Sequence, residues 1–193
     1  MHVLILGPNF NALKPVVDAN GDTFVSYCDK NLTPLFCLEH EIDFIVSYGY
    51  RYIISQDIIS LYPNKIINLH ISLLPFSRGS HPIVWSIYKD HPLGVTIHHI
   101  DSGLDTGNII CQSPMIYDDL SLQSFRSLHK RASLMVEALF AVNWKYLRLA
   151  TFSGYPQLGP SSYHKTSDLI QLQPFMPDSW DTKIDQFLFL SSR

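Results

Sequence analysis

The chain has 193 residues and a formal net charge of −3, with 46% hydrophobic and 16% charged residues. This length suits one domain with a sizeable core, and this composition is typical of a globular protein rather than a disordered one. Lysine and arginine do not cluster, which argues against a large nucleic-acid footprint. No run approaches the ~18 apolar residues that a membrane helix needs, and no signal peptide is evident, so we expect a cytoplasmic protein without a membrane partner.

Cysteine and histidine spacing gives no support for a metal centre. The three cysteines, Cys28, Cys37 and Cys111, form no C-x-x-C pair, and the nine histidines include no H-E-x-x-H motif. We therefore expect reduced thiols and a site that needs no metal.

Strand-like and helix-like segments alternate through the first half of the chain. The apolar runs predict strands at 2–7, 23–28, 43–49 and 66–71, and the segments between them predict helices at 10–21, 32–41 and 55–63. Alternation of this kind predicts an α/β fold with a parallel sheet and right-handed crossovers.

Two further strands and one long helix are predicted in the second half. The strands are 94–101 and 108–112, with the turn-rich segment 101–107 between them. Ser121 is the expected N-cap of the helix. The expected apolar stripe of that helix is Phe125, Leu128, Ala132, Met135, Leu139, Val142 and Tyr146.

The composition changes after Ala150, where Gly, Pro, Ser and Tyr become frequent. We expect a catalytic domain over 1–150 and a C-terminal extension over 151–193, made of a loop and a last amphipathic helix at 178–190, packed on or near the same domain. The apolar "FLFL" near the end predicts either packing on this domain or a homodimer surface.

The segment "INLHIS" places two polar residues in an otherwise apolar strand. Asn68 and His70 are two apart, so they share one face, near the carboxyl end where ligands bind in open α/β sheets. Histidine can exchange a proton near neutral pH, and the Asn amide can hold an oxygen that gains negative charge. Asp105, in a Gly-flanked turn, could orient the histidine. From spacing alone, a buried core histidine and a plain turn-forming aspartate remain open alternatives.

The sequence segments that contain these residues favour a catalytic role. "NLHISLLPFSRG" followed by "GVTIHHIDSGLDTGNIICQ" resembles the folate-dependent formyltransferases. The resemblance implies a doubly wound, mostly parallel, Rossmann-like sheet, with Asn68, His70 and Asp105 as catalytic residues. It implies transfer of a formyl group from N10-formyltetrahydrofolate to an amine. Only sixty residues separate Gly7 from Asn68, which predicts an N-terminal half shorter than is usual in that family.

The same resemblance implies where the folate lies. Its cofactor-binding residues would be Tyr50, Tyr52, Ile54, Ile100 and Asp101, for which ordinary packing is the alternative. Two residues of the strand that leads into this loop, Thr96 and His98, are expected either to support the site or to be structural.

Three branches of the family differ in the amine that they formylate. The methionyl-tRNA branch carries a further RNA-binding domain, which about forty residues after Ala150 would not supply. The glycinamide ribonucleotide branch uses a Gly-rich phosphate loop, where this chain has "GPNFNA". The expected acceptor is therefore a dTDP- or GDP-linked amino sugar used in surface polysaccharides such as lipopolysaccharide O-antigen. Its contacts would be Arg78, Tyr163 and His164.

Two rival functions stay open besides the glycinamide branch. One is a non-catalytic relative that binds a folate or a nucleotide, and the other is hydrolysis of the formyl donor with water in place of the amine.

Overall fold

A computed structural model describes residues 1–117 and 119–192. Within these residues the strands are β1 His2–Leu6, β2 Thr23–Tyr27, β3 Phe44–Ser47, β4 Ile66–His70, β5 Arg78–Gly79, β6 Gly94–His99, β7 Ile109–Pro114 and β8 Tyr163–His164. The α-helices are α1 Phe10–Ala19, α2 Pro34–Glu39, α3 Gln56–Leu61, α4 Pro82–Tyr88, α5 Phe125–Leu147 and α6 Ile184–Ser191. The predicted α/β class is confirmed.

The central sheet of the described chain has six strands in the order β2-β1-β3-β4-β6-β7. The first four are parallel, and β6 and β7 are antiparallel additions at one edge. β3 is buried along its whole length, as parallel strands covered on both faces are. The chain passes from β1 to β2 on one side of β1 and then crosses to β3 on the other side of β1. The strand order reverses at this point, so a ligand crevice is expected beyond the carboxyl ends of β1 and β3.

The antiparallel strand β6 brings the two sequence motifs together. It lies beside β4 with Asn68 opposite His98 and His70 opposite Thr96. β6 ends beside the amino-terminal half of β4, with His99 opposite Ile67, and the loop that follows folds back so that Asp105 reaches Asn68 and His70.

Helix α5 confirms the predicted long helix but corrects two details. Its N-cap is Ser124, whose hydroxyl accepts from the Ser127 amide, and not Ser121. The buried side chains are Phe125, Leu128, Ala132, Val136, Phe140, Trp144 and Leu147, whereas Val142 is 66% exposed. The predicted stripe repeated every 3.5 residues, and a straight helix with 3.6 residues per turn drifts about 20° per heptad from such a repeat.

Helix α4 was missing from the sequence prediction. Its first six residues, Pro82–Ile87, are buried, so it shows no polar face from which a helical period could be read.

The C-terminal extension contains more structure than the predicted loop. Three short 3-10 turns lie between β8 and α6. The helix predicted at 178–190 is a 3-10 turn, Ser179–Asp181, followed by α6. Leu172, Met176, Ile184 and Phe187 join the main hydrophobic core. Phe187 of "FLFL" therefore packs on its own domain, and the homodimer stays a prediction.

Within residues 1–117 and 119–192, no helix is both long enough and apolar enough to cross a membrane.

Candidate active site

The Asp105 carboxylate is the centre of a polar cluster at the carboxyl end of β4. Its Oδ1 accepts from Asn68 Nδ2 at 3.3 Å and lies 3.5 Å from His98 Nε2. Its Oδ2 accepts from the Gly79 amide at 2.8 Å and lies 3.6 Å from His70 Nδ1. The three predicted catalytic residues are thus brought together, and Asp105 bridges the other two.

The protonation state of Asp105 follows from these neighbours. Burial alone would raise the pKa of the carboxyl group, but His70, His98 and the Gly79 amide hold it well below its usual range. Asp105 is therefore a carboxylate at neutral pH, and a weak base.

His70 lies behind Asp105 rather than in the open cleft. Its side chain is 8% exposed, and its Nε2 faces the Ser77 carbonyl at 3.3 Å. Burial lowers the pKa of the imidazole, against the attraction of Asp105. Both ring nitrogens face an oxygen acceptor, although a neutral ring has only one N–H. A proton that arrives at His70 therefore finds a hydrogen-bond partner already in place.

His98 is a fourth member of the cluster. Its Nδ1 donates to the His99 carbonyl at 2.7 Å, which leaves Nε2 as the acceptor in the neutral ring. Asn68 Nδ2 lies 3.2 Å from that nitrogen. The two N–H bonds of the Asn68 amide thus point at His98 and Asp105, which settles which way the amide faces.

The backbone holds Asp105 in a left-handed conformation with φ of 53°. Asp tolerates this region better than most residues. Gln157 supports the loop, because its Nε2 donates to the carbonyls of Asp105 and Gly107, both at 2.8 Å. A Cβ at Gly107 would lie 1.9 Å from the His99 carbonyl oxygen, so only glycine fits there.

The predicted folate-binding residues line one cleft in front of the cluster. Tyr50, Tyr52, Ile54, Ile100 and Asp101 all border it. Asn68, His98 and Asp105 form its polar end. Ile54, Tyr50 and Ile100 also pack in one hydrophobic cluster, so folate contact by the five residues stays a prediction.

The predicted acceptor contacts lie elsewhere. The Arg78 guanidinium donates through Nε and Nη2 to Gln157 Oε1, at 3.0 and 2.7 Å, and so supports the Asp105 loop. The His164 ring stacks on the buried Trp85 indole, with centroids 3.7 Å apart. Tyr163 is 44% exposed and pairs with Arg78 across β5 and β8. Acceptor contact by Arg78, Tyr163 and His164 stays a prediction.

Thr96 and His98 have different parts in the site. Thr96 Oγ1 donates to the Ser72 carbonyl and accepts from the Leu74 amide, so it shapes the loop after β4. His98 touches the polar cluster directly. The doubled histidine in "TIHHID" is the sequence signal for His98, and Gln157 has no such signal.

Comparison with known proteins agrees with this geometry. A sequence profile described as formyl transferase matches residues 28–139, more than half of the chain. The chain belongs to this formyltransferase family. Two of the expectations implied by the resemblance, the family and its fold, are thereby confirmed.

Solved structures include one neighbour of nearly the same length. It is the formyltransferase PseJ from Anoxybacillus kamchatkensis, in complex with UDP-4,6-dideoxy-4-formamido-L-AltNAc and tetrahydrofolate. The two chains share 39% identity over 97% of each, with a TM-score of 0.90. A sugar N-formyltransferase from a Shewanella species has a TM-score of 0.81 at 23% identity, covers 100% of this chain and 87% of its own, and supports the fold alone.

Curated relatives match over shorter stretches. A methionyl-tRNA formyltransferase from Thermodesulfovibrio yellowstonii is 32% identical over 136 residues, which is 70% of this chain and 43% of the relative. Another, from Solibacter usitatus, is 51% identical over 67 residues, 34% of this chain and 22% of the relative. The chain thus spans less than half the length of these relatives.

Proposed function

We propose that this protein transfers a formyl group from N10-formyltetrahydrofolate to the amino group of a nucleotide-linked amino sugar. The similarity to PseJ over 97% of both chains is the observation that carries the proposal, because that structure holds a UDP-linked formamido sugar and tetrahydrofolate together. UDP-linked sugars therefore rank ahead of the dTDP- and GDP-linked sugars expected from the sequence. A role in surface polysaccharide synthesis is part of the same proposal.

The polar cluster can support the chemistry of such a transfer. Attack of the amine on the formyl carbon gives a tetrahedral intermediate with an oxyanion, and the Asn68 amide is a neutral donor that lines the cleft. Both Asn68 N–H bonds are engaged without substrate, so the formyl oxygen would replace one of those contacts.

The amine proton would pass to His70, which would return it to N10 as the bond between the formyl carbon and N10 breaks and tetrahydrofolate leaves. Asp105 is the weaker base, because the pKa of its carboxyl group is held well below its usual range, whereas an imidazole can both accept and return a proton. Asp105 would then stabilise the imidazolium at the 3.6 Å separation of Nδ1 and Oδ2. The reaction proposed here needs no metal.

The test is a transfer assay with N10-formyltetrahydrofolate and a panel of acceptors. UDP-, dTDP- and GDP-linked amino sugars, glycinamide ribonucleotide and methionyl-tRNA would be supplied separately, and the formylated product identified by mass spectrometry. We expect formylation of an amino sugar, with UDP preferred. Formylation of methionyl-tRNA or glycinamide ribonucleotide alone would overturn the proposal, as would release of formate with no acceptor modified.

A matched pair of variants ties the activity to the cluster. His70→Ala should abolish transfer, and His40→Ala, at an exposed histidine after α2, should leave it unchanged. Equal activity in both variants would exclude the proposed route for the proton.

A further inference from the structure

The segment 77–79, between β4 and α4, presents two backbone groups to the side chains of His70 and Asp105. The Ser77 carbonyl oxygen lies 3.3 Å from His70 Nε2, and the Gly79 amide donates to Asp105 Oδ2 at 2.8 Å. Ser77 is fully buried and has a left-handed φ of 54°. A residue other than glycine keeps this conformation only where the surrounding structure fixes it. The groups that hold Ser77 and Gly79 therefore also set the orientation of His70 and Asp105.

The C-terminal extension supplies the partners of this segment. Ser162 accepts the Ser77 amide on its hydroxyl oxygen at 2.8 Å and the Arg78 amide on its carbonyl oxygen at 2.9 Å. The His164 carbonyl accepts the Ser80 amide at 2.9 Å. In the described part of the chain, β5 pairs with β8 and with no strand of the central sheet. The extension thus fixes the backbone groups that face the polar cluster.

Gln157, also in the extension, connects β5 to the backbone of Asp105. Its Nε2 donates to the carbonyls of Asp105 and Gly107, both at 2.8 Å, and its Oε1 accepts from the Arg78 guanidinium at 3.0 and 2.7 Å. The Gly79 amide, next to Arg78, binds the carboxylate of the same aspartate. Asp105 is thus held at its main chain and at its side chain, and both attachments lead to β5.

Both ends of the segment 155–164 are anchored to the rest of the domain. At one end, Tyr155 and Ile109 of β7 exchange two backbone hydrogen bonds of 2.9 Å. At the other end, the His164 ring stacks on the Trp85 indole, with centroids 3.7 Å apart and planes 6° apart. Trp85 is a buried residue of the main core. The residues between these two anchors are therefore held firmly enough to hold β5 in turn.

The Ser77 carbonyl also determines which nitrogen of His70 is free. A carbonyl oxygen only accepts hydrogen bonds, so the neutral ring carries its N–H at Nε2. Nδ1, 3.6 Å from Asp105 Oδ2, is then the nitrogen that can take a proton. If the Ser77 carbonyl moved away, the Asp105 carboxylate would attract the single N–H to Nδ1. The ring would then have no free nitrogen beside Asp105.

We propose that Gln157 and Ser162 are positioning residues for formyl transfer. Ser162 acts on His70 through Ser77 and keeps Nδ1 free, and Gln157 keeps the Asp105 carboxylate in place. The inference rests on the proposed function for the reaction that these residues serve. Because neither Gln157 nor Ser162 lines the cleft, their loss should act on the rate rather than on substrate affinity.

Steady-state kinetics of the intact protein and its variants test the assignment. Ser162→Ala and Gln157→Met should each lower kcat by about 10-fold to 100-fold and change KM for either substrate by less than about threefold. Ser161→Ala and Gln171→Met are the matched controls, because both side chains are exposed, and they should turn over like the parent protein. Ser162→Thr keeps a hydroxyl that can accept the Ser77 amide, so it should restore most of the rate.

Nitrogen-15 NMR of the histidine rings measures the same effect without turnover, and His70→Gln identifies the His70 signals. The parent protein should carry the His70 proton on Nε2, whereas Ser162→Ala should shift it toward Nδ1. Ser161→Ala should match the parent. A loss of packing alone would lower the unfolding temperature and would not exchange the protonated nitrogen, so thermal unfolding of each variant is recorded beside the spectra.

Two results would overturn the assignment. One is a kcat in Ser162→Ala and Gln157→Met equal to that of their controls, and the other is a parent protein whose His70 carries its proton on Nδ1. The second measurement needs no variant at the two positions, so the assignment can be refuted even where a variant does not fold. Failure of the proposed function gives a different pattern, because the parent would formylate no amino sugar while His70 still carries its proton on Nε2.

Discussion

Asp22 and Asp105 are both shielded from solvent to a large extent, but their surroundings differ in kind. Asp22 has a fully buried side chain that binds the N-terminal ammonium group, the Trp144 indole N–H and the Arg148 guanidinium. Asp105 is 16% exposed and is surrounded by imidazoles, an amide and a cleft.

We expect this difference to separate a structural carboxylate from a reactive one. The Arg148 guanidinium remains charged at every physiological pH, so it cannot exchange a proton with Asp22. An imidazole such as that of His70 can exchange a proton, and Asp105 borders a cleft. Burial alone therefore does not identify the functional aspartate. We expect the functional aspartate to be the one whose partners can exchange a proton and which borders a cleft that a ligand can enter.

The largest effect is expected at Asp105. Asp105→Ala should lower the rate of formyl transfer by about 10³-fold, or ~4 kcal/mol, because it removes the group that aligns Asn68 and stabilises the His70 cation. The measurement is a single-turnover transfer assay, with urea unfolding of the same sample. A rate within tenfold of the parent would show that Asp105 is structural, like Asp22.

Asp22→Ala should act on stability instead. Removing one partner of a buried ion pair costs about 3 kcal/mol of the free energy of unfolding, and Arg148 is 26% exposed, so the cost lies at the lower end of the usual range. Transfer per folded molecule should not change. Asp18→Ala, which breaks the exposed Lys14 pair, is the control and should cost about 0.5 kcal/mol or less.

Gly79 allows a test of the support beneath Asp105. Its φ is +84°, and an added Cβ would lie 2.3 Å from the His164 carbonyl oxygen. Gly79→Ala should cost about 2 kcal/mol of stability and also slow transfer, because the amide that binds Asp105 must move. Gly21→Ala, with φ of +71° and open space around its Cβ, should cost only about 1 kcal/mol and leave transfer intact.

The smallest expected effect is the pH dependence of stability that His70 contributes. The pKa of His70 is lowered from 6.5 by burial, so the unfolded chain binds its proton first as the pH falls. The contribution of neutral His70 to stability is thus complete above pH 6.5 and is lost as the pH falls toward its folded pKa. Relative to His70→Gln, the parent protein should lose free energy of unfolding below pH 6.5 in urea titrations. Parallel curves for the two proteins would contradict this.

Local patterns were sufficient for much of the fold. Apolar runs bounded by turn residues located β1 and β3, because strands buried on both faces are largely apolar, and located β4 and β6 in spite of their polar residues. The same reasoning failed for α4, whose all-apolar sequence has no helical period, and for the stripe of α5, where a 3.5-residue repeat was assumed.

The residues of the site also divide into those that the sequence predicted and those that it did not. Asn68, His70 and Asp105 were predicted from two short motifs, because each motif places its characteristic side chains within a few residues of one another. Gln157 was not found, because it acts through backbone carbonyls fifty and fifty-two residues away. Arg78 was found, but its guanidinium contacts Gln157, and no local pattern encodes that partner.

The sequence by itself determined the α/β class, the family and the three residues at the centre of the site. Tertiary structure alone decided that β6 runs antiparallel to β4, which places His98 opposite Asn68, and that the loop after β6 folds back so that Asp105 reaches His70. It also decided that the Trp180 ring of the C-terminal extension lies 5.4 Å from the His81 ring. Short-range spacing encodes which groups a strand presents, whereas long-range packing determines which groups from distant elements meet.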